Sequence, residues 1–352
     1  MANKVGNWYH YSGAIHMHTT ESDGTRTLEE IVAIGNDAGL DFMMVTDHMT
    51  LANRDQGKEG KYGRVLVVVG YEHNDVDDNH HYLIFESPGV YPEDISAGEL
   101  VRQAHEDGAL GIIAHPDELK QRTKPYRSYP WLDWSVNGFQ GIELWNQMSE
   151  WMDKLTPYNK LLLAFSPRKS LIAPSEITLR RWDEISRTKK VVGIASPDAH
   201  AFPVKIWPIT VEIFPYKVHF RALRTHIILS EPMSDDFDAA KAQLYSALRD
   251  CRVFCSNMRW GEADTFEFYA VTETERVVTG GSAALDKSTR LLVNLPDRAN
   301  LRIIGDGQKV LEVVTDKVEY KVSSPGIYRV EAWKGDKGWI FSNHIRITES
   351  DI

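Results

Sequence analysis

The chain has 352 residues, is 42% hydrophobic and carries a formal net charge of −10 at neutral pH. This length can bury a sizeable core and fits one large domain with a smaller one. The acidic balance excludes a protein that coats nucleic acid by bulk positive charge, and no apolar run is long enough to span a membrane. The negative net charge does not exclude a small anionic substrate, because bound cations can neutralise several carboxylates.

The N-terminal segment and the cysteines indicate a cytoplasmic protein. Residues 1–7 are polar and lack the apolar stretch of a signal peptide. Cys251 and Cys255 have no further zinc-type residues nearby, so we interpret them as two buried thiols and not as half of a zinc site.

Six short apolar runs in the first 200 residues predict strands buried on both faces, as in parallel α/β sheets. Each run ends at a histidine or an acid: residues 13–15 precede His16 and His18, residues 42–46 precede Asp47 and His48, residues 65–69 precede Glu72, residues 110–114 precede His115, residues 141–142 precede Glu143, and residues 191–195 precede Asp198 and His200. In barrels of such strands the catalytic groups lie at the carboxyl ends.

The segments between these runs carry helix signals. Thr27 and Glu30 form a capping-box pattern, and Gly39 is placed to end that helix. Ser96 and Glu99 repeat the pattern. Strands that alternate with helices predict βαβ units, a parallel sheet, and a (β/α) barrel or a distorted relative of one.

The chain changes character near residue 260, where short β-type runs with turn signals replace the alternation. The predicted strands are residues 265–271, 290–295, 301–304, 309–314, 318–322, 327–333 and 339–347. We therefore expect a barrel domain over residues 1–260, with a helical insertion at about 120–190, and a small β-sandwich-like domain over 261–352. No metal-type cluster occurs in the second domain, which favours a structural or oligomerising role over substrate binding.

The histidines and acids at the strand ends predict a metal site. His16 and His18 are two residues apart at a strand end, so their side chains point to the same side. Asp23 follows in a loop short enough to return to them. Imidazole and carboxylate ligands together suit zinc, iron or manganese, and these ligand types do not distinguish among the three metals. A single histidine of this kind is usually a packed residue, but six such strand ends in order favour metal binding.

These motifs resemble, in order, the signatures of the PHP (polymerase and histidinol phosphatase) superfamily of metallo-phosphoesterases. The resemblance covers about residues 10–200 and rests on residues 16–18, 22–24, 46–48, 70–72, 113–116, 141–143 and 198–200. Residues 326–331 and 339–343 are similar to the β-rich tail of the branch that includes carbaryl hydrolase.

The resemblance implies a distorted (β/α)7 barrel with two or three divalent transition-metal ions (Zn, Mn or Fe) at the strand ends. By motif, the first metal would be held by His16, His18, Glu72 and Asp198, the second by Glu72, His81 and His115, and the third by Asp23, His48 and His200. Some members carry a histidine at the position of Asp23. His73 and His80 compete with His81, which we choose because an apolar strand begins there.

Several residues are expected to act on the reaction or on the ligands. Glu72, Asp198 and His200 form the expected catalytic group, with Glu72 as the bridge between two metals and His200 available to assist the leaving group. Asp47 is expected to hydrogen-bond a ligand imidazole, and Glu143 to orient His115 or a bound water.

Basic and aromatic residues between the barrel motifs have two interpretations. They form either a lid that contacts a substrate phosphate or a helical insertion with solvated charges and packed tryptophans. They are Lys120, Arg122, Lys124, Arg127, Arg168, Lys169, Arg180 and Arg181, with Tyr126, Trp131, Trp134, Trp151 and Trp182 among them.

The predicted function is hydrolysis of a small phosphomonoester or nucleotide by a metal-bound hydroxide. The first alternative is a metal-dependent hydrolase of carboxylic or carbamic esters, and the second is a metal-binding module without catalysis. The expected partner is a small, anionic substrate molecule. A membrane and stably bound nucleic acid are not expected, and the sequence leaves the oligomeric state open.

Overall fold

The computed structural model describes residues 3–77, 79–118, 128–206 and 209–349, and within them the protein is a mixed α/β chain. Eight α-helices occur in these ranges: α1 (Leu28–Ala38), α2 (Ala52–Asp55), α3 (Ala97–Glu106), α4 (Gln147–Lys154), α5 (Lys160–Phe165), α6 (Glu176–Ser186), α7 (Tyr216–His219) and α8 (Phe237–Arg249). Among the described residues, no helix has both the length and the apolar character needed to cross a membrane.

The strands are short in the first half of the chain and longer towards its end. They are β1 (Asn3–Val5), β2 (Trp8–Ile15), β3 (Phe42–His48), β4 (Gly60–Tyr62), β5 (Val65–His73), β6 (Tyr82–Phe85), β7 (Leu110–Ile113), β8 (Gly141–Asn146), β9 (Val192–Ser196), β10 (Phe202–Ile206), β11 (Ile209–Ile213), β12 (Leu223–Leu229), β13 (Val253–Asn257), β14 (Glu267–Val271), β15 (Arg276–Val278), β16 (Ser282–Ala284), β17 (Arg290–Gly305), β18 (Gln308–Lys321), β19 (Gly326–Lys334), β20 (Lys337–Ser342) and β21 (Ile345–Thr348).

The chain divides into two compact units. The first, here the central unit, comprises residues 13–171 and 195–224, and the second, here the terminal unit, comprises residues 1–12, 172–194 and 225–352. Residues 225–260 thus group with the β-rich C-terminal segment. The domain boundary expected at residue 260 stays a prediction.

The sheet of the central unit is mixed and not wholly parallel. β2 pairs with β3, β3 with β5, and β7 with β8 in parallel, as the buried apolar runs predicted. β6, however, runs antiparallel to both of its neighbours, β5 and β7. A continuous apolar run signals burial on both faces but not strand direction, so the sequence did not distinguish β6 from a parallel strand.

The predicted helix caps of the central unit are confirmed. Thr27 and Glu30 form a complete capping box at α1, and Gly39 ends this helix in the left-handed conformation with φ 75°. The Ser96 side chain accepts a hydrogen bond from the main-chain N–H of Glu99. Leu28, Ile31 and Val32 of α1 are buried in one core cluster with side chains of β3 and β5. The caps and this apolar face together fix α1 against the strands that carry the site.

The terminal unit is built mainly from antiparallel strands around one apolar core. The runs predicted at residues 290–295 and 301–304 form a single strand, β17, whose pairing with β18 shifts register between Asn294 and Ala299. Polar residues interrupt the apolar alternation at this bulge, which explains why the sequence indicated two strands.

Cys251 and Cys255 are free, buried thiols in the terminal unit, as predicted. Burial raises the pKa of Cys251 to about 12 and also raises the pKa of Cys255. Both groups therefore stay protonated at neutral pH and behave as small apolar side chains.

Candidate metal centre

All nine residues that the sequence proposed as metal ligands lie in the central unit and converge. Their ligand atoms form four overlapping groups, in each of which the atoms lie within 4.8 Å of one another: His18, Asp23, His48 and His200; His16, His18 and Glu72; His16, His115 and Asp198; and His48, Glu72 and His81. The strands explain this convergence, because the parallel strands bring their carboxyl ends to one edge of the sheet. Antiparallel β6 brings its amino end, next to His81, to the same edge.

Glu72, in β5, lies at the middle of the cluster, and its two oxygens face different imidazoles. Oε2 lies 2.9 Å from Nε2 of His16, 3.3 Å from Nε2 of His18 and 3.6 Å from Nδ1 of His48. Oε1 lies 2.7 Å from Nδ1 of His81 and 3.1 Å from Nε2 of His115. A carboxylate whose two oxygens face two different sets of imidazoles is suited to bridging two cations.

Asp198 lies between the buried imidazoles of His16 and His18 and the imidazole of His200. Its Oδ1 lies 3.3 Å from Nε2 of His16, 3.5 Å from Nε2 of His18 and 3.4 Å from Nδ1 of His200. Its Oδ2 accepts a hydrogen bond of 3.1 Å from the amide of Asn146, so this oxygen is held away from the imidazoles.

Asp23 defines the open side of the cluster. Its Oδ2 lies 3.2 Å from Nε2 of His200 and 3.8 Å from Nε2 of His48, and its Oδ1 lies 3.5 Å from Nδ1 of His18. The Asp23 side chain is 55% exposed, whereas that of His18 is fully buried. The structure thus adds His18 to the group expected from Asp23, His48 and His200.

The neighbouring histidines have other partners, and this separates His81 from its competitors. Nε2 of His73 pairs with the carbonyl oxygen of Pro92 at 2.9 Å, and Nδ1 of His80 pairs with Asp75 at 2.6 Å. Of these three histidines, His81 is the one within hydrogen-bond distance of Glu72.

Three residues of the cluster hold an unusual backbone conformation. His16, His115 and Asp198 have positive φ angles of 72°, 26° and 49°. Such conformations cost on the order of 1–3 kcal/mol each for a residue other than glycine, and they are found mainly where surrounding contacts enforce them. One such contact is the short parallel bridge between Met17 and Ala199, together with the hydrogen bond of 3.0 Å from the His18 N–H to the Ala199 carbonyl.

Glu143, in β8, fixes the orientation of His16. Its Oε1 pairs with Nδ1 of His16 at 2.7 Å, which leaves Nε2 of that ring facing Glu72. Its Oε2 accepts the main-chain N–H of His115 at 2.7 Å. Among the described residues, Glu143 thus orients the ring of His16 and holds His115 through its main chain, and its expected role at a bound water stays a prediction.

Asp47 supports a loop and does not contact an imidazole. It accepts hydrogen bonds from the N–H and hydroxyl of Thr19 at 2.6 and 2.7 Å, the Ser22 hydroxyl at 2.8 Å and the Asn53 amide at 3.0 Å. The expected bond to a ligand imidazole does not form among the described residues. Asp47 and His48 are consecutive in β3, so their side chains point to opposite faces. Asp47 instead fixes the turn that carries Asp23.

Two supporting residues were missed by the sequence reasoning. The Asn146 amide donates to Glu143 at 2.8 Å as well as to Asp198, and the Ser196 hydroxyl donates to Glu143. Both residues end strands of the central sheet, as the predicted ligands do. A search of strand ends for amides and hydroxyls, and not only for histidines and acids, would have found them.

The cluster concentrates ionisable groups in a buried position. Burial acts to lower the pKa of His18, but Asp198 and Glu72 raise it to about 9. Burial likewise opposes the shift at His16, whose pKa the carboxylates raise well above the ordinary value. At Glu72 burial acts to raise the pKa, yet the imidazoles hold it well below its usual range. In the metal-free chain, protons on imidazoles thus balance the carboxylates.

The donor set fits divalent metals. Both ring nitrogens of His18 and Oδ1 of Asp198 are buried and have no hydrogen-bond partner in the described part of the chain. Buried polar atoms without a partner are costly, and a cation would satisfy one ring nitrogen of His18 together with Oδ1 of Asp198. Neutral imidazole nitrogens with carboxylate oxygens suit zinc, manganese or iron. The residues therefore form a candidate site for divalent cations.

The basic and aromatic residues expected to form a lid are only partly described. Lys120, Arg122, Lys124, Tyr126 and Arg127 lie outside the described residues. Trp151 is buried, and its indole N–H donates to the Leu163 carbonyl, as a packed tryptophan does. Trp182 is buried in the terminal unit. The lid stays a prediction.

No family model matches the sequence, and no curated protein is significantly similar to it. Solved structures that match include a two-domain protein from Bacteroides vulgatus containing a predicted PHP-like metal-dependent phosphoesterase, with 13% identity and a TM-score of 0.47 over 98% of this chain and 97% of that chain. A proposed metal-dependent phosphoesterase from Bifidobacterium adolescentis has 15% identity and a TM-score of 0.34 over 56% and 91%. An amidohydrolase from Chromobacterium violaceum, with bound sulfate and no metal, has 14% identity and a TM-score of 0.32 over 58% and 92%. At these values the likenesses assign neither a family nor an activity to the chain.

Proposed function

We propose that the chain is a metal-dependent hydrolase of the PHP superfamily and that it hydrolyses a small phosphomonoester or nucleotide. The central observation is the division of Glu72, whose two oxygens face two separate sets of imidazoles. We further propose that the central unit is the distorted (β/α)7 barrel typical of that superfamily. The location in the cytoplasm remains a prediction.

The proposed ligands follow the distances around Glu72 and Asp198. One cation would be held by His16, His18, Glu72 and Asp198, and a second by Glu72, His81 and His115. A third would be held by Asp23, His48 and His200, with Nδ1 of His18 on the same side. Zinc, manganese and iron all suit this donor set.

Divalent cations at these positions would lower the pKa of a water molecule and offset the negative charge that develops on phosphate oxygens. The side chains around the cluster orient the ligands and leave one side open to a substrate. Glu143 holds the His16 ring in one orientation, and burial of His16, His18 and Glu72 excludes bulk water from the inner side. Asp23 and His48 are partly exposed, so the substrate would enter on their side. His200 lies between Asp198 and Asp23, and it would assist the leaving oxygen either as a ligand of the third cation or, where that cation is not bound, as a proton donor.

The proposal is tested by metal content and turnover measured together. The purified chain should contain two to three transition-metal ions per molecule, and His81→Ala should lower this number and abolish phosphoester hydrolysis. His80→Ala is the matched control, because it removes the adjacent histidine, which pairs with Asp75 and not with Glu72. Equal effects of the two substitutions, or full activity in His81→Ala, would contradict the ligand assignment.

The substrate class is tested with a panel of chromogenic phosphomonoesters, carboxylic esters and carbamates, each with added zinc, manganese or iron. The proposal expects turnover of phosphomonoesters. Turnover of only the carboxylic or carbamic esters would favour the first alternative. Full metal occupancy without turnover of any ester would indicate a metal-binding module.

A further inference from the structure

The terminal unit contains an open cleft at the carboxyl end of α6. The space within it, part of which is open solvent, amounts to about 290 Å³. Ser186 at the end of α6 and the following Lys189 and Lys190 line one side, and His344 and Arg346 near β21 line another, with Gly280 between them. All of these residues belong to the terminal unit, so the cleft is separate from the metal centre of the central unit.

The cleft is positively charged although the chain as a whole is acidic. Three basic side chains and no carboxylate occur among the residues that line it, while the net charge of the chain is −10. Lys190 is exposed and makes no hydrogen bond or ion pair within the described ranges. Lys189 is half-buried, and burial lowers its pKa. An anion in the cleft would favour the charged form of Lys189.

Arg346 is fixed in place without being neutralised. Its guanidinium donates to the main-chain carbonyl of Arg187 at 2.8 Å and to that of Ser186. These carbonyls belong to the end of α6, where unpaired carbonyl groups give a partial negative charge. Arg346 therefore cancels the local charge that would repel an anion, and a guanidinium with five N–H donors retains further donors.

The Ser186 hydroxyl is an unsatisfied donor in the same cleft. The residue is only 3% exposed, and its Oγ has no hydrogen-bond partner in the part of the chain that the structure describes. A buried hydroxyl without a partner calls for a ligand or a water molecule. A negatively charged oxygen would accept its proton in a charge-assisted hydrogen bond.

Asp183, an acid that pairs with the cleft residue His344, is already compensated. Asp183 receives two hydrogen bonds from Arg329, at 2.7 and 2.9 Å, and pairs with Nε2 of His344 at 2.8 Å. Its negative charge is thus balanced inside the protein. The ring of His344 is committed to Asp183, so the lysines, Arg346 and the Ser186 hydroxyl are the groups that face a ligand.

We propose that this cleft binds a small oxyanion of the phosphate type, either free phosphate or the phosphate group of a small metabolite. Lysine ammonium groups attract phosphate as point charges, and an arginine with a hydroxyl adds directed hydrogen bonds. The inference does not depend on the metal centre and would stand if the proposed hydrolase activity were absent.

Calorimetric titration of the full-length protein with inorganic phosphate tests the proposal. Lys190→Glu should weaken binding by about tenfold or more, the scale of one lost charge-assisted contact, and Ser186→Ala should weaken it severalfold. Lys287→Glu makes the same charge change at an exposed lysine of the terminal unit that does not line the cleft, and it should leave the affinity within about twofold.

Two further arms separate the possible sources of binding. Asp198→Ala disrupts the metal centre, and phosphate binding in the cleft should survive it. Loss of binding in Asp198→Ala with unchanged binding in Lys190→Glu would overturn the proposal, as would equal effects of Lys190→Glu and Lys287→Glu.

Methylphosphonate, whose P–C bond resists ester hydrolysis, replaces phosphate in the last arm. Tighter binding of methylphosphonate would identify a phosphorylated metabolite as the ligand, and tighter binding of phosphate would identify the free ion.

Discussion

Nδ1 of His16 lies 2.7 Å from Oε1 of Glu143, and both side chains are fully buried. This contact joins the end of β2 to β8, two strands that are far apart in sequence. It fixes the imidazole so that its other nitrogen lies 2.9 Å from Glu72. Glu143 thus orients the candidate ligand His16 without being a candidate ligand itself.

Glu143→Gln should weaken metal binding without removing a ligand. Glutamine keeps the shape of the side chain but cannot balance a buried imidazole, and loss of such a supporting group typically costs about 10–100-fold in metal affinity. Metal affinity is measured by competition with a chelator, and folding by circular dichroism. Glu106→Gln, at an exposed position of α3, is the control. Unchanged affinity in Glu143→Gln would show that the contact does not orient a ligand.

Glu72→Gln should cost more activity than His200→Ala. Glutamine supplies no negative charge between the two sets of imidazoles, whereas loss of His200 removes one group at the outer side of the cluster. We expect kcat to fall at least about tenfold further in Glu72→Gln, equivalent to about 1.4 kcal/mol of transition-state stabilisation. Metal stoichiometry is measured alongside. Near-normal turnover in Glu72→Gln would exclude it as the bridge.

The sequence indicated which residues meet, because most of them lie where an apolar run ends, whereas Asp23 lies in a nearby loop and His81 lies where a strand begins. It could not assign their hydrogen bonds. For Asp47 the alternation of side chains along a strand was not taken into account: Asp47 and His48 are consecutive in β3, and Asp47 points away from the side of His48. The role of Glu143 at His16 depends on the neighbourhood of two distant strands, which no local pattern contains.

The fold shows the same division between local and non-local information. Caps such as Thr27 with Glu30 depend on residues three apart and were predicted correctly. The direction of β6 depends on how the chain returns after His73, and the apolar run itself contains no signal of that direction. The basic cleft of the terminal unit was also missed, since Lys190 and Arg346 are distant in sequence.

Metal affinity should keep rising with pH up to about 9. The carboxylates raise the pKa of His18 to about 9 in the metal-free chain, above its ordinary value of 6.5, so this imidazole must lose a proton to bind a cation. At His18, metal binding therefore competes with protonation at every pH below about 9. Chelator competition at a series of pH values measures this. Burial lowers the pKa of His48 to about 4, so His48→Ala should leave the slope unchanged. An affinity that is flat above pH 7 would contradict the prediction.

Arg329→Ala should strongly destabilise the terminal unit. Arg329 is 3% exposed and makes two hydrogen bonds to Asp183 and one to Glu331, so its removal takes the guanidinium away from two buried carboxylates. Breaking a buried pair costs about 3–5 kcal/mol in the free energy of unfolding, measured by urea denaturation. Arg302→Ala, a partly exposed arginine of β17, should cost about 1 kcal/mol or less.

The same pair predicts an acid dependence of stability. Burial acts to raise the pKa of Asp183, but Arg329 and His344 lower it to about 2, below its ordinary value of 3.8. A depressed folded-state pKa adds stability that is present above pH 3.8 and is lost as the pH falls towards 2. The difference in unfolding free energy between wild type and Asp183→Asn should therefore shrink over that interval. A difference that stays constant from pH 5 to pH 2 would show that the charge of Asp183 is not what stabilises the fold.

A chain that ends at residue 256 should aggregate but keep its metal. β13 pairs with β20, and buried Phe254 packs on Phe266 with ring centroids 4.9 Å apart, so truncation exposes a strand edge and an aromatic side chain. All nine candidate ligands lie before residue 201 and remain in the truncated chain. Light scattering should thus show aggregation, while metal content and turnover of a small ester per folded molecule persist. Removal of residues 350–352 alone is the control. Lost turnover with metal and fold intact would mean that the C-terminal strands form part of the substrate pocket, against the structural role expected for them.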